Sequence, residues 1–133
     1  MKFLSQKPSE TKKLGEKMAK RKADVLALKG ELGAGKTTFL KGYAKGLGVK
    51  EKVLSPTFLI LKKIPIKNNY FIHIDCYRIK DSKEILDLGF KKMLNKYIMA
   101  IEWPERIKNI LPKDTLWINF KIIDKNKREI TIK

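Results

Sequence analysis

Apolar residues in the first third of the chain repeat with two different spacings. Residues 9–21 have apolar positions three and four residues apart behind Pro8, which predicts a helix. Residues 24–29 contain a short continuous apolar run that ends at Gly30 and is typical of a strand buried on both faces of a parallel sheet. Helical spacing returns over residues 36–47. The pattern therefore predicts a helix, a buried strand, a glycine-rich turn and a second helix.

The rest of the chain alternates short apolar runs with turn residues. An antiparallel hairpin is predicted over residues 58–75, with its turn at Asn68 and Asn69 and its first strand near a sheet edge, because lysines interrupt that strand. The further elements expected are a mostly helical segment over 81–93 interrupted at Gly89, a strand over 97–102, a short helix from Pro104 that ends before Pro112, and strands over 115–123 and 129–132.

The order of these elements predicts the fold class. Strands that alternate with helices indicate an α/β protein. We expect a three-layer α/β/α P-loop NTPase fold with a mostly parallel central sheet and antiparallel hairpins. Because 133 residues suffice for one hydrophobic core, we expect a single domain over residues 1–133.

The charge balance narrows the set of partners. The chain has 31 basic and 14 acidic side chains and a formal net charge of +17, which attracts polyanions such as RNA, nucleotides or acidic proteins. A lysine-rich solvated surface would give the same balance without any partner. Charge alone therefore leaves both interpretations open.

The sequence also bears on the compartment. The single cysteine, Cys76, cannot form an internal disulfide, and the N-terminus lacks the pattern of a signal peptide. Lysines interrupt every hydrophobic stretch before it reaches the length of a membrane-spanning helix. We expect a cytoplasmic protein with no membrane association.

A phosphate-binding motif occupies the turn between the buried strand and the second helix. The motif G-x-x-x-x-G-K-[ST] is matched by Gly30, Gly35, Lys36 and Thr37. In such a loop, backbone N–H groups and the lysine contact phosphate oxygens, and the hydroxyl is a ligand of Mg²⁺. The predicted nucleotide-binding residues of the loop are Gly30, Glu31, Leu32, Gly33, Ala34, Gly35, Lys36, Thr37 and Thr38.

Two acidic residues are candidates for the chemistry beside the phosphates. Asp75 follows the apolar run 71–74 and Glu102 follows the run 98–101, so each carboxylate comes at the end of a predicted strand. Such a carboxylate can hold the water shell of a metal or polarise a water molecule. The same position also suits a solvated boundary residue, but the presence of a P-loop favours the functional interpretation for the pair.

Four neighbouring features have two interpretations each. The segment 55–58 is either a switch loop that contacts the nucleotide or a proline turn. Trp103 either flanks the nucleotide or packs, and Arg78 either contacts an anion or pairs with a surface carboxylate. His73 lies on the same strand face as Asp75, and a lone histidine is more often structural than catalytic.

Other classes of P-loop protein fit less well. Guanine-specific proteins need an N-K-x-D motif, and residues 95–98 lack its aspartate. A small-molecule kinase usually adds a lid and an acceptor-binding region, for which 133 residues leave little room. The hypotheses are therefore a small ATPase or switch, a basic RNA-binding module with a vestigial P-loop as the alternative, and a compact small-molecule kinase as the third.

The motifs taken together resemble one family. The chain contains TKKLGEKMA from Thr11, GELGAGKTTFLKG from Gly30, SPTF from Ser55, HIDCYRI from His73 and IEW from Ile101. This combination is similar to the bacterial TsaE (YjeE) family, and the matches span nearly the whole chain in the same order.

The resemblance implies a function and a set of residues. It implies an ATPase that binds ATP and Mg²⁺, hydrolyses ATP slowly by itself and works with TsaD and TsaB in making the tRNA modification N6-threonylcarbamoyladenosine, with tRNA reached indirectly or through the complex. By the same resemblance, Lys36, Asp75 and Glu102 are catalytic, and Thr37 and Glu102 hold the metal. Thr11 would approach the nucleotide base, and Trp103 matches the family's tryptophan beside the nucleotide.

Overall fold

A computed structural model describes residues 1–50 and 59–133. The predicted switch segment 55–58 and the start of the predicted hairpin lie outside the described residues. Within the described residues, seven strands form one sheet: β1 (Lys2–Ser5), β2 (Val25–Gly30), β3 (Leu61–Ile66), β4 (Asn69–Asp75), β5 (Ile98–Glu102), β6 (Leu116–Ile122) and β7 (Arg128–Ile132). The helices are α1 (Pro8–Ala19), α2 (Lys36–Gly46), α3 (Lys83–Leu86), α4 (Phe90–Met93) and the 3₁₀ helix Pro104–Ile110.

The sheet has the strand order β1-β7-β6-β2-β5-β4-β3. Its four central strands, β6, β2, β5 and β4, pair in parallel, whereas β1 with β7, β7 with β6 and β3 with β4 pair antiparallel. The prediction of a parallel sheet thus holds for the centre, and the antiparallel pairs lie at the two ends. The predicted hairpin is formed by β3 and β4, with β3 at the edge.

Two hydrophobic cores lie on opposite faces of the sheet. Side chains alternate along a strand, so Leu26 and Leu28 of β2 face α1 and α2, whereas Val25 faces the short helices. Met99 and Ile101 of β5 also face the short helices. Helices on both faces of a largely parallel sheet give the three-layer α/β/α arrangement expected from the sequence.

Three elements differ from the sequence prediction. β1 was not predicted, because its four residues carry too little pattern, and it forms by pairing with β7. The segment predicted as mostly helical over 81–93 is two one-turn helices, α3 and α4, separated at Gly89, which has a φ of +90°. The predicted short helix after Trp103 is a 3₁₀ helix.

Within residues 1–50 and 59–133, no helix has both the length and the apolar character needed to cross a bilayer.

Candidate functional site

Three parallel strands end at the same edge of the sheet and bring the predicted site together. β2 runs into the loop that precedes α2, and β4 and β5 end at Asp75 and Glu102, which are paired residues in the register of these two strands. The carboxyl ends of parallel strands form the usual ligand crevice of an open α/β sheet. A cavity of about 390 Å³ opens there, lined by loop residues, both carboxylates and other side chains.

The glycines of the loop are explained by crowding and by backbone conformation. A Cβ on Gly30 would lie 2.8 Å from the carbonyl oxygen of Phe120 on the adjacent strand β6. The backbone of the sheet therefore leaves little room for a side chain at Gly30. Gly35 has a φ of +102°, which residues other than glycine rarely adopt, and α2 begins at the next residue. The chain therefore turns sharply from β2 into α2, and the N-terminus of α2 points at the cavity.

Lys36 is nearly buried at the start of α2. Its Nζ donates a hydrogen bond to the Gly30 carbonyl oxygen at 2.6 Å and lies 3.9 Å from the centre of the Trp103 ring. Burial lowers the pKa of the Lys36 ammonium, and the negative charges of Glu102, Glu105 and Asp75 partly oppose this shift. A poorly solvated cation facing the cavity favours the binding of an anion.

Asp75 is half-buried at the end of β4. Its Oδ1 accepts a hydrogen bond from the Tyr77 backbone N–H at 3.0 Å. Burial raises the pKa of the Asp75 carboxyl above its usual range, although the Tyr77 N–H acts in the opposite direction. Asp75 is thus a carboxylate whose charge is under-solvated and which gains from a nearby cation.

Glu102 is 4% exposed and is paired with a histidine. His73 Nε2 lies 2.8 Å from Glu102 Oε2, and within the described residues the other ring nitrogen, Nδ1, is buried without a hydrogen-bond partner. The oxygens of a carboxylate are acceptors, so Nε2 carries the proton of this hydrogen bond. Nε2–H then donates to the carboxylate and fixes its orientation. The structural role expected for His73 takes this form.

Trp103 adopts a strained backbone conformation beside the site. Its φ is +57° and its ψ is +48°, in the left-handed region that few residues other than glycine occupy. The ring lies against the Lys36 ammonium on one side and has its centre 5.0 Å from that of the Tyr77 ring. Strain of this kind is concentrated at functional sites. Trp103 faces the cavity and covers the lysine.

Thr11 lies beside Gly35 of the loop and lines the cavity. It is 2% exposed, and its hydroxyl donates to the Ser5 hydroxyl oxygen at 2.7 Å. The Thr11 methyl group Cγ2 lies 3.6 Å from the position of a Cβ on Gly35. Thr11 therefore lines the cavity and joins α1 to both β1 and the loop.

The predicted loop residues divide into two groups. Leu32, Gly33, Gly35, Lys36, Thr37 and Thr38 line the cavity together with Thr11, Asp75, Glu102 and Trp103. Gly30, Glu31 and Ala34 do not line it: the Ala34 side chain lies in the core and its N–H bonds to the Glu31 carbonyl oxygen at 3.1 Å. Nucleotide binding by each of these residues stays a prediction.

Thr37 and Glu102, the predicted metal ligands, both face the cavity. In the part of the chain that the structure describes, no group of three or more His, Cys, Asp and Glu side chains is positioned to hold a metal. A hydroxyl and a carboxylate are oxygen donors of the kind that Mg²⁺ takes from a protein, and metal binding by Thr37 and Glu102 stays a prediction.

Sequence reasoning missed one wall of the cavity. Lys125, Asn126 and Arg128 line it from the turn between β6 and β7, as does Tyr77 beyond β4. The turn itself was predicted, but its position was not. The strand order would have indicated this position, because β6 pairs in parallel with β2 and therefore ends beside the phosphate-binding loop.

Comparison with known proteins assigns the family. Residues 5–130 match the family model described as "Threonylcarbamoyl adenosine biosynthesis protein TsaE". The chain belongs to the TsaE family. Two relatives, each named tRNA threonylcarbamoyladenosine biosynthesis protein TsaE, come from Bacillus subtilis and Rickettsia felis. The first is 40% identical over 98% of this chain and 84% of the relative, and the second is 39% identical over 92% and 74%.

A solved structure supports the fold. The crystal structure of Bacillus subtilis YdiB is 34% identical to this chain, with a TM-score of 0.74 over 99% of this chain and 83% of that one. The α/β fold derived above is therefore shared with an experimentally determined structure.

Proposed function

We propose that this TsaE-family protein binds Mg·ATP and hydrolyses it. One observation carries the proposal: a P-loop lysine and hydroxyl, Lys36 and Thr37, share a cavity with two carboxylates from adjacent strand ends, Asp75 and Glu102. Phosphoryl transfer needs mainly positioned cations on the phosphates and a carboxylate to orient the attacking water. The cavity contains both kinds of group.

The position of each side chain in the cavity indicates its role. Lys36 and the N-terminus of α2 would bind the phosphates, since both direct positive charge into the cavity. Thr37 and Glu102 would hold Mg²⁺, which neutralises phosphate charge when it is bound. Glu102, oriented by the Nε2–H of His73, is also placed to accept a proton from water, and Asp75 beside it adds a second negative charge for the metal's water shell.

The biological setting comes from the relatives. Their names state a role in the biosynthesis of tRNA threonylcarbamoyladenosine. We propose the same pathway for this chain, with TsaD and TsaB as its partners and the cytoplasm as its location. Hydrolysis would serve that complex.

The direct test is a calorimetric titration with Mg·ATP. The wild type is expected to bind and to release phosphate on a longer incubation. Lys36→Ala is expected to lose measurable binding, because it removes the cation at the centre of the cavity, while Lys29→Ala, an exposed lysine of the same strand and loop region, keeps it. Wild-type affinity in Lys36→Ala would refute the assignment.

A second function, RNA binding, is favoured by a different observation at the opposite end of the parallel strands. Segments 59–74 and 88–101 contain six lysines and no acidic residue. They meet in a lysine–tyrosine cluster made of Lys63, Tyr70, Lys96 and Tyr97: the two rings are 5.8 Å apart, and Lys63 Nζ lies 4.2 Å from the centre of the Tyr70 ring. Hydrogen bonding with Lys63 lowers the pKa of the Tyr97 phenol. Lysines interleaved with exposed aromatic rings are typical of single-stranded RNA binding.

Fluorescence anisotropy with a labelled single-stranded RNA tests this second function. Tyr70→Ala and Lys63→Ala should weaken binding, and binding should fall steeply between about 50 and 200 mM salt. Lys17→Ala on α1 is the matched control, because Lys17 is an exposed lysine outside the cluster. Equal effects of Lys63→Ala and Lys17→Ala, with wild-type binding in Tyr70→Ala, would attribute binding to net charge and remove the cluster from consideration.

A further inference from the structure

One side chain joins the turn between β6 and β7 to the phosphate-binding loop. Arg128, the first residue of β7, donates from Nη2 to the Gly33 carbonyl oxygen at 3.0 Å. Its Nη1 donates to three carbonyl oxygens of the turn: Asp124 at 2.7 Å, Lys127 at 3.0 Å and Lys125 at 3.3 Å. The same guanidinium therefore contacts its own turn and the carbonyl oxygen of Gly33, which is 95 residues away from Arg128 in sequence.

The geometry of these contacts requires arginine. A guanidinium presents its N–H donors in a rigid planar fork, so one nitrogen can serve the turn while the other serves the loop. A lysine has one nitrogen at the end of a flexible stem and cannot bond both sets of carbonyls in this arrangement. The arginine stem adds a packing contact, because Cγ lies 3.8 Å from the position of a Cβ on Gly35.

The turn lies at the end of the cavity away from the carboxylates. In the strand order, β2 and its loop separate β5 and β4, which end in Glu102 and Asp75, from β6 and β7. If phosphoryl chemistry takes place beside the carboxylates, as the proposed function requires, the nucleoside of a bound nucleotide would lie toward the turn. Lys125 and Asn126 line the cavity there.

We propose that Arg128 is a positioning residue for nucleotide binding. It holds the Gly33–Gly35 turn in its binding conformation and fixes the β6–β7 turn as the wall at the nucleoside end of the cavity. The inference rests on the proposed function and deepens it. Since Arg128 acts before and during binding, its removal should change nucleotide affinity and loop order more than the hydrolysis rate at saturation.

Three variants test this role against a general effect on the hairpin. Arg128→Ala removes the fork, and Arg128→Lys keeps the charge but not the fork. Lys127→Ala is the matched control, since it removes one positive charge from the same turn and breaks only an exposed ion pair with Asp124 at 4.0 Å. Thermal unfolding followed by circular dichroism establishes that all three variants are folded.

Two measurements are made on each variant. In titrations with Mg²⁺ and a fluorescent ATP analogue, Arg128→Ala and Arg128→Lys should bind about tenfold more weakly than wild type, and Lys127→Ala should stay within about twofold. In hydrogen exchange without nucleotide, amides of residues 33–37 should exchange faster in the two Arg128 variants but not in Lys127→Ala.

The outcomes separate the proposal from the function on which it rests. Wild-type affinity and exchange in Arg128→Ala would overturn the positioning role, and wild-type behaviour of Arg128→Lys would show that charge rather than the fork is what matters, which also overturns it. Failure of the wild type to bind any nucleotide would refute the proposed function alone. The exchange measurement needs no nucleotide and would still report whether Arg128 orders the loop.

Discussion

At the scale of single residues, the site combines groups that are poorly solvated and of opposite charge. Burial lowers the pKa of Lys36 and raises the pKa of Asp75. In both side chains, burial therefore disfavours the charged form. Each gains when a ligand of the opposite charge enters the cavity. Perturbed groups that face one cavity are typical of functional sites. The proposed Mg·ATP would supply both kinds of compensating charge.

Glu102 is expected to matter for turnover more than for binding. Glu102→Gln keeps the shape and an oxygen for His73 Nε2–H but cannot accept a proton from water, so phosphate release should fall roughly 10²- to 10⁴-fold while nucleotide affinity changes little. A coupled phosphate-release assay measures this effect. Glu105→Gln, an exposed acid on the following 3₁₀ helix, is the control and should hydrolyse ATP at nearly the wild-type rate. Unchanged release in Glu102→Gln would contradict its catalytic role.

Asp75 is expected to reduce stability in exchange for function. The folded-state pKa of its carboxyl is raised, so the fold favours the protonated form and the charged form is unfavourable at neutral pH. Asp75→Asn keeps the acceptor for the Tyr77 N–H and should raise the unfolding midpoint by roughly 1–3 °C at pH 7. The gain should vanish as the pH falls below the ordinary carboxyl range of about 4.

Differential scanning calorimetry from pH 3 to 8 measures this dependence. The exposed acid Asp114 gives the control, and Asp114→Asn should show no gain of this kind. A stability gain in Asp75→Asn that persists at low pH would contradict the argument from burial.

At the scale of elements, the pattern of apolar residues predicted the helices and strands that form from neighbouring residues in sequence. The helix α2 and the buried strand β2 show clear periodicity, so both appear within a few residues of their predicted bounds. β1 escaped prediction because four residues carry little pattern and only pairing with β7 makes them a strand. The Arg128 contact likewise needs the strand order, since nothing near Gly33 in sequence indicates a partner 95 residues away.

The fit between β2 and β6 makes a prediction at this scale. A Cβ added to Gly30 would lie 2.8 Å from the Phe120 carbonyl oxygen, which is backbone and cannot rotate away. Gly30→Ala should therefore push β6 from β2, destabilise the fold by about 1–3 kcal/mol and weaken nucleotide binding. Urea unfolding and the ATP titration measure the two effects. Lys29→Ala, the adjacent exposed position of β2, is the control, and equal unfolding free energies for the two variants would show that the sheet yields without cost.

At the scale of the whole molecule, the sheet separates two surfaces of different chemistry. The carboxyl ends of β2, β4 and β5 form the candidate nucleotide site, and the lysine–tyrosine cluster lies at the other end of β4 and β5. With a net charge of +17, the molecule attracts polyanions from any direction. Neither the charge nor the cavity identifies a protein partner, and the partners proposed above follow from the family.

Recovery of partners from the source cell tests the molecule as a whole. An affinity-tagged chain should retain TsaD and TsaB, and their addition to the purified protein should raise phosphate release above the rate of the chain alone. Lys36→Ala should neither retain the two partners nor release phosphate faster when they are added, because binding to the complex is expected to depend on nucleotide. Washing at about 0.5 M salt distinguishes specific assembly from attraction by net charge, because screened contacts between exposed charges dissociate under those conditions. Retention of RNA without TsaD or TsaB would instead favour the RNA-binding function, with the lysine–tyrosine cluster as its site.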